Sequence, residues 1–260
     1  MSNDKIIELP AESSALVIVD MQVEGCERHG PGMKPVIRNI QSLLARFRAA
    51  NGKIIHVQSV RSKDHPEFTV FGREYGLLEN SPGVEFVEEL KPLPNEMIVK
   101  KTSHDCFYKT TMEAVLQKFD LRSCRDTIVV TGIGSNNCVY HAVIGFHVRN
   151  YFIVVPEDCI HATHPEGDAF ALSQFRSHAY NFNITVTRSE SIRLLPKRND
   201  LKVAAISRVV QRIELQKGPH APRHKQFLPG CQAQSSAAKD LDNIRRHAAG
   251  WSGQLPQADA

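Results

Sequence analysis

Three residues that could carry out chemistry together follow three different apolar runs of the sequence. Asp20 follows the first run, Lys101 the third, and Cys138 the fourth, after a turn that contains glycine. Short apolar runs are typical of buried strands, and the carboxyl ends of parallel strands meet at one edge of a sheet. A carboxylate there can take the proton of a thiol, an ammonium group can stabilise both anions, and the thiolate can attack an electrophilic carbon. The three residues therefore predict a nucleophilic triad without histidine.

The surroundings of Cys138 are those of a presented nucleophile. The sequence Thr-Ile-Val-Val-Thr-Gly-Ile-Gly-Ser-Asn-Asn-Cys-Val-Tyr at 127–140 predicts a strand, a tight turn and the start of a helix. At a helix N-terminus, unpaired backbone N–H groups and the helix dipole favour the thiolate. A cysteine taken alone is more often an inert core residue. The catalytic interpretation therefore depends on the register with Asp20 and Lys101.

Strand and helix signals alternate along most of the chain. Continuous β-branched runs predict strands, whereas apolar residues spaced three and four apart predict helices. The expected strands are 15–19, 53–60, 96–100, 127–131, 151–155 and 183–187, and the expected helices are 35–50, 84–90, 111–119, 137–148 and 165–180. Such alternation produces right-handed βαβ crossovers. We therefore expect a three-layer α/β fold, with a parallel sheet of about six strands and helices on both faces.

The chain changes character near Pro196. Residues 1–195 carry the alternating pattern and predict one domain, whereas residues 196–260 are polar. Within this extension an amphipathic helix is expected at 201–215, followed by a flexible tail rich in Ala, Gln, Ser and Pro.

Composition narrows the class of protein further. With 260 residues and 42% hydrophobic content, the chain can bury an ordinary core. Its six cysteines form no C-x-x-C pair and its N-terminus lacks the apolar run of a signal peptide, so a reducing cytoplasm is the expected setting. The longest apolar runs are strand-sized, which excludes a membrane span. The net charge of +4 is spread loosely, so nucleic-acid binding is not expected.

Three stretches of the sequence resemble the signatures of the isochorismatase-like cysteine hydrolases. They are Ala-Leu-Val-Ile-Val-Asp-Met-Gln at 15–22, Val-Lys-Lys-Thr-Ser-His-Asp-Cys-Phe at 99–107 and Thr-Gly-Ile-Gly-Ser-Asn-Asn-Cys-Val at 131–139. The resemblance covers roughly residues 12–192 and includes the family's next strand, at 148–159. It implies a three-layer α/β fold, a homo-oligomer (dimer or tetramer), and hydrolysis of amide or ureide C–N bonds through a thioester, with no cofactor.

The resemblance also assigns roles within the triad. Asp20 would be general base and acid, Lys101 its electrostatic partner and Cys138 the nucleophile. Lys101 is chosen over Lys100 because its distance to Phe107 matches the family's spacing from lysine to aromatic residue. Side chains alternate along a strand, so only one of the two lysines should face the site.

Two backbone features are implied for the turn before the nucleophile. The family carries a non-proline cis peptide bond that maps to the bond between Ile133 and Gly134. The backbone N–H groups of Gly134 and Cys138 would form the oxyanion hole, a device that stabilises the tetrahedral intermediate.

Four further residues are candidates for substrate contacts. Gln22 could point into the site or bond a neighbouring loop, and Arg61 could bind a substrate carboxylate or remain solvated. Phe107 and Tyr140 could line a planar amide, although core packing explains them equally well. Where many family members have Tyr-Ser-Ala-Phe, this chain has His-Asp-Cys-Phe at 104–107, so we expect a more polar wall.

The identity of the substrate and two alternatives stay open. No metal is expected, because the Asp-x-His motif of the family's nicotinamidases is replaced by His-Val-Gln-Ser-Val-Arg at 56–61. A small-molecule amide or ureide is the expected substrate: biuret-like ureides, ureidoacrylate-like acids, N-carbamoyl amino acids and maleamate-like acids all fit. The alternatives are a vinyl ether hydrolase of the isochorismatase type, which does not need the cysteine, and a catalytically silent oligomeric binding protein.

Overall fold

The computed structural model describes residues 6–74 and 76–195. The expected helix at 201–215 and the rest of the 196–260 extension lie outside the described residues. The boundary placed at 195 therefore stays a prediction.

Strands and helices alternate through the described part of the chain. The strands are β1 (Ile7–Pro10), β2 (Ser14–Val19), β3 (Lys53–Ser59), β4 (Met97–Lys101), β5 (Thr127–Ile133), β6 (Phe152–Pro156), β7 (Ile160–His161), β8 (Ile184–Thr187) and β9 (Ile192–Leu195). The α-helices are α1 (Val23–His29), α2 (Met33–Ala49), α3 (Pro66–Thr69), α4 (Met112–Lys118), α5 (Cys138–His147) and α6 (Pro165–Phe175).

The main sheet is parallel and has its switch point at the strands that carry the site. Its strand order is β4-β3-β2-β5-β6-β8, and the two-residue β7 pairs with the end of β5. The chain runs outward from β2 in one direction and from β5 in the other, so their carboxyl ends flank the crevice where α/β sheets bind ligands. The prediction of a parallel sheet with helices around it is confirmed. A separate parallel pair, β1 and β9, was not predicted.

Alternate residues of β2 separate the core into two apolar clusters, one on each face of the sheet. Ala15, Val17 and Val19 pack into the cluster that also contains buried residues of α4, α5 and α6. Leu16 and Ile18 pack into the cluster that contains the apolar stripe of α2. Every residue of β2 is buried. This strand is thus fixed from both sides, and the residue that follows it is held in place.

One expected helix is wrong. The stretch 84–90 contains two short 3₁₀ turns, Pro82–Val84 and Glu88–Leu90, instead of a continuous helix. Between these turns the chain is extended and bonds to the segment after β2: Phe86 forms an antiparallel bridge with Gln22, and Val87 N–H donates to the Met21 carbonyl. Backbone pairing with a distant segment thus overrides the local helical pattern.

Helix α1 was not predicted, and its packing depends on Gly25. A side-chain carbon at this position would lie 2.8 Å from Ile133 Cδ1 and 3.3 Å from the Asp20 carbonyl oxygen. The glycine lets α1 approach both β5 and the residue that ends β2. No helix in the described part of the chain is long and apolar enough to cross a membrane.

Candidate active site

Asp20 lies at the carboxyl end of β2 in an uncommon backbone conformation. Its φ is +56°, in the left-handed region that aspartate tolerates better than most residues. Its N–H donates to the Val57 carbonyl (3.0 Å), and its own carbonyl accepts from Gln22 N–H (2.8 Å). These bonds end the strand abruptly and fix the direction of the buried carboxylate.

Lys101 is the last residue of β4, and it forms a buried ion pair with Asp20. Its Nζ lies 2.9 Å from Asp20 Oδ2, and the lysine side chain has no exposed surface. The ammonium group also donates to the His104 carbonyl at 3.1 Å. Burial lowers the pKa of Lys101, but the charges of Asp20 and Cys138 outweigh it and raise the pKa overall. Lys100, which alternates with Lys101, is exposed.

Cys138 begins α5, after a turn that β7 and α6 hold in place. The N–H groups of Gly134 and Ser135 both donate to the His161 carbonyl, at 2.8 and 3.2 Å. The buried Ser135 hydroxyl donates to Asp168 at 2.6 Å. Gly134 has a φ of +75°, and a side chain there would lie only 3.2 Å from the Cys138 nitrogen. Hydrogen bonds to β7 and α6 therefore fix the turn that precedes Cys138.

The three groups have one cation for two potential anions. Burial, followed by the charge of Asp20, raises the pKa of Cys138 to about 12, and the opposing effect of Lys101 is smaller. This differs from the thiolate expected at a helix N-terminus. Lys101 already neutralises Asp20, so a thiolate would add an unbalanced buried charge. The raised pKa therefore favours the protonated thiol of Cys138.

Asp20 has an atom available to receive that proton. Its Oδ1 is buried and makes no hydrogen bond with any group in the described part of the chain, whereas Oδ2 is paired with Lys101. A buried carboxylate oxygen without a donor is costly. Oδ1 is therefore the carboxylate oxygen that can accept a proton or a hydrogen bond from a ligand.

The turn before Cys138 differs from the expectation in two ways. The expected cis peptide bond between Ile133 and Gly134 is wrong, since the described residues contain no cis peptide bond. Instead the chain reverses through positive φ at Gly132 (+127°) and Gly134 (+75°). As a result Gly134 N–H points to β7 and not toward the sulfur. Of the two N–H groups expected in the oxyanion hole, only that of Cys138 begins a helix, where N–H groups have no partner within the helix.

Gln22 does not face the site. Its side chain is fully buried, and its amide donates to the Ser59 and Val84 carbonyls and accepts from Ser59 N–H, all within 2.9 Å. Both ends of the amide are thus occupied. Of the two interpretations of Gln22, the bond to neighbouring segments is the one observed: it ties the end of β3 to the loop before β4.

Arg61 is buried and already paired. Its guanidinium lies 3.2 Å from both carboxylate oxygens of Glu67 on α3 and 3.2 Å from the Ser59 hydroxyl. Arg73 contacts the same carboxylate at 3.3 Å. Arg61 is therefore buried and not solvated, and its contact with a substrate carboxylate stays a prediction.

Phe107 and Tyr140 belong to the core. Phe107 packs edge-to-face on Phe146 at 4.9 Å between ring centres, with the Arg149 guanidinium 3.7 Å above its ring. Tyr140 stacks on Phe175 of α6 at 5.6 Å. Core packing is thus observed for both aromatic residues, and their contacts with a substrate stay a prediction.

His104 contacts Cys138, although it was not among the candidates. Its Nδ1 lies 3.3 Å from Cys138 Sγ. The signal that could have found it is the departure from the family's Tyr-Ser-Ala-Phe at 104–107, which indicated only a more polar wall.

Within the described ranges no group of three His, Cys, Asp or Glu side chains could hold a metal ion.

The chain forms three layers, with a parallel sheet between helices on its two faces. A buried carboxylate, an ammonium group and a thiol meet at the switch point of this sheet. This fold and site together define one class of α/β protein. A model of the isochorismatase domain matches residues 14–191. The chain therefore belongs to the isochorismatase family of hydrolases.

Relatives and solved structures agree with this assignment. The chain is 29% identical over 199 residues to ureidoacrylate amidohydrolase RutB from Cronobacter turicensis, covering 66% of this chain and 83% of that protein. It is similar to the crystal structure of N-carbamoylsarcosine amidase from Thermoplasma acidophilum (TM-score 0.57, 25% identity, 68% of this chain and 97% of that one). It shares its fold with a cysteine hydrolase from Pseudomonas syringae (TM-score 0.60, 22% identity, 83% and 99%).

Proposed function

We propose that this protein is a cysteine-dependent amidohydrolase. It cleaves the C–N bond of a small linear amide or ureide through a thioester and releases ammonia or an amine. The observation that carries the proposal is the buried Lys101–Asp20 pair, with Nζ 2.9 Å from Oδ2, beside the thiol of Cys138. The amidohydrolase and amidase names of two relatives support the same bond class.

Acylation begins with the proton of the thiol. Asp20 Oδ1 accepts it, the S–H bond breaks, and the sulfur forms a C–S bond with the substrate's carbonyl carbon. The negative charge leaves the carboxylate and arrives on the carbonyl oxygen. Lys101 remains positive throughout, so the site never holds two uncompensated anions. This transfer overcomes the raised pKa of Cys138, because the thiolate need not exist before the substrate arrives.

The Cys138 N–H stabilises the oxyanion in this mechanism. It lies at the N-terminus of α5, where unpaired amides and the helix dipole favour negative charge. Gly134 is not used, because its N–H donates to the His161 carbonyl. Asp20 then returns the proton to the leaving nitrogen and the C–N bond breaks. Water hydrolyses the thioester and restores the thiol.

The test is ammonia or amine release from a panel of ureides, N-carbamoyl amino acids and maleamate-like acids. Wild type would be compared with Cys138→Ala and Cys138→Ser, and the control is Cys124→Ser, which changes an exposed cysteine before β5, at the opposite end of the strand. We expect activity to be lost in both Cys138 variants and kept in the control.

Two results would reject the proposal. Equal amide hydrolysis by wild type and Cys138→Ala would show that Cys138 is not the nucleophile. Cleavage of a vinyl ether that needs Asp20 but not Cys138 would indicate the isochorismatase reaction.

A homo-oligomer in the cytoplasm is part of the proposal, and size-exclusion chromatography with light scattering would show whether it is a dimer or tetramer.

A further inference from the structure

The Cys138 thiol has a second neighbour capable of taking its proton. His104 Nδ1 lies 3.3 Å from Cys138 Sγ, within reach of a sulfur hydrogen bond. Burial and the charge of Asp20 raise the pKa of the thiol, which favours the protonated sulfur. The imidazole of His104 therefore lies within reach of the thiol proton, alongside the carboxylate of Asp20.

The imidazole is held at the sulfur by elements on both sides. On β4, Lys101 donates to the His104 carbonyl at 3.1 Å. On α5, the His141 ring stacks on the His104 ring with 5.7 Å between centres and 29° between planes. His141 is itself fixed, because its Nδ1 contacts the Asn137 carbonyl at 2.8 Å. The contact with Cys138 thus belongs to the packed structure.

The charges around His104 keep it neutral and able to accept. Burial lowers the pKa of His104 below its ordinary value, and the positive charge of Lys101 lowers it further. His141 and Arg61 act in the same direction, and Glu67 opposes them. At neutral pH the ring therefore carries one proton and offers one nitrogen as an acceptor.

We propose that His104 is a catalytic residue that accepts the Cys138 proton in parallel with Asp20. The inference rests on the proposed function, in which Cys138 is the nucleophile. It gives the triad a second base, of a residue type that the carboxylate–ammonium–thiol pattern does not contain.

The transfer conserves the charge of the site. The S–H bond breaks and an N–H bond forms at His104 Nδ1, so an imidazolium and a thiolate appear together. The sulfur's electron pair then forms the C–S bond to the substrate carbonyl. When the C–N bond breaks, the imidazolium gives its proton to the leaving nitrogen. The ion pair between Asp20 and Lys101 stays intact.

The experiment measures how fast iodoacetamide alkylates Cys138 between pH 5 and 9. Peptide mass spectrometry would follow this residue alone in wild type, His104→Phe and His104→Asn. In wild type we expect alkylation to fall as pH drops through a midpoint below 6.5, since the imidazole accepts only when neutral. Both variants should lose this midpoint and react about tenfold more slowly at pH 7.5.

His141→Phe is the matched control. It keeps a ring stacked on His104, and His104 is the ring that contacts the sulfur. Removing His141 removes a group that lowers the His104 pKa, so the midpoint should move to higher pH while the plateau rate is kept. Circular dichroism would establish that each variant is folded.

An unchanged pH profile in folded His104→Phe and His104→Asn would overturn the inference. The readout needs no substrate, so it is independent of the amide panel. Loss of the midpoint together with full amidase activity in Cys138→Ala would leave His104 as the base of a thiol that is not the nucleophile, and would reject the catalytic role.

Discussion

At the scale of single residues, Lys101 is the most demanding feature. Its ammonium group has no exposed surface and depends on Asp20 for charge compensation. Removing one member of such a pair leaves the other buried and uncompensated, which costs more than losing both. The pair thus connects the stability of the fold to the chemistry of the site.

Lys101→Met should destabilise the protein by about 3–5 kcal/mol, because it leaves Asp20 as an uncompensated buried anion. The double variant with Asp20→Asn should recover part of this loss while remaining inactive. Urea unfolding gives both values. A double variant no more stable than Lys101→Met would show that packing of the lysine chain, and not its charge, holds this region.

The sequence predicted that Asp20, Lys101 and Cys138 lie near one edge of the sheet because each follows an apolar run, and the resemblance of 99–107 to a family signature selected Lys101 over Lys100. The contacts of Gln22 and Arg61 could not be predicted in this way. Gln22 bonds to Ser59 and Val84, which are 37 and 62 residues away, and Arg61 depends on where α3 places Glu67. Such pairings follow from loop geometry. The His104–Cys138 contact, between residues 34 positions apart, was missed for the same reason.

At the scale of elements, β5 approaches β2 more closely than any side chain permits. Gly132 on β5 has a φ of +127°, and a side-chain carbon there would lie 2.1 Å from the Val19 carbonyl oxygen. The atoms that would clash are backbone atoms of β2, which cannot rotate away. The distance between the carboxylate and thiol strands therefore depends on this glycine.

Gly132→Ala should destabilise the fold by at least about 2 kcal/mol, through backbone strain and a clash with β2. Gly30→Ala is the control, since its φ is also positive (+72°) but a side chain there meets open space. Thermal unfolding of both variants would separate the two effects. Equal losses would attribute the whole effect to φ and none to the close approach.

At the scale of the whole molecule, a cluster of charged side chains joins α2 and β3 to the residue just before β4. Glu96, just before β4, bonds to Arg48 of α2 at 2.7 Å and to His56 of β3 at 2.8 Å. Burial alone would raise the pKa of Glu96, but these hydrogen bonds outweigh it and lower the pKa to about 2. The folded state therefore favours the ionised form of the Glu96 carboxyl group.

This lowered pKa predicts a pH dependence of stability. A carboxyl group whose pKa falls on folding stabilises the protein above its unfolded value of 4.5, and the stabilisation is lost as pH falls toward 2. Urea unfolding of wild type should therefore weaken through this range, and Glu96→Gln should flatten that part of the profile. Parallel profiles for the two proteins would assign the acid sensitivity to other carboxyl groups.

The protonated state of Cys138 has a consequence for the protein's lifetime. Peroxides oxidise cysteine through the thiolate, so susceptibility follows the fraction of thiol that is ionised. With its pKa raised to about 12 by burial and by the charge of Asp20, Cys138 carries almost no thiolate at neutral pH. Burial and the carboxylate of Asp20 thus leave the resting thiol less open to peroxides than a cysteine of ordinary pKa.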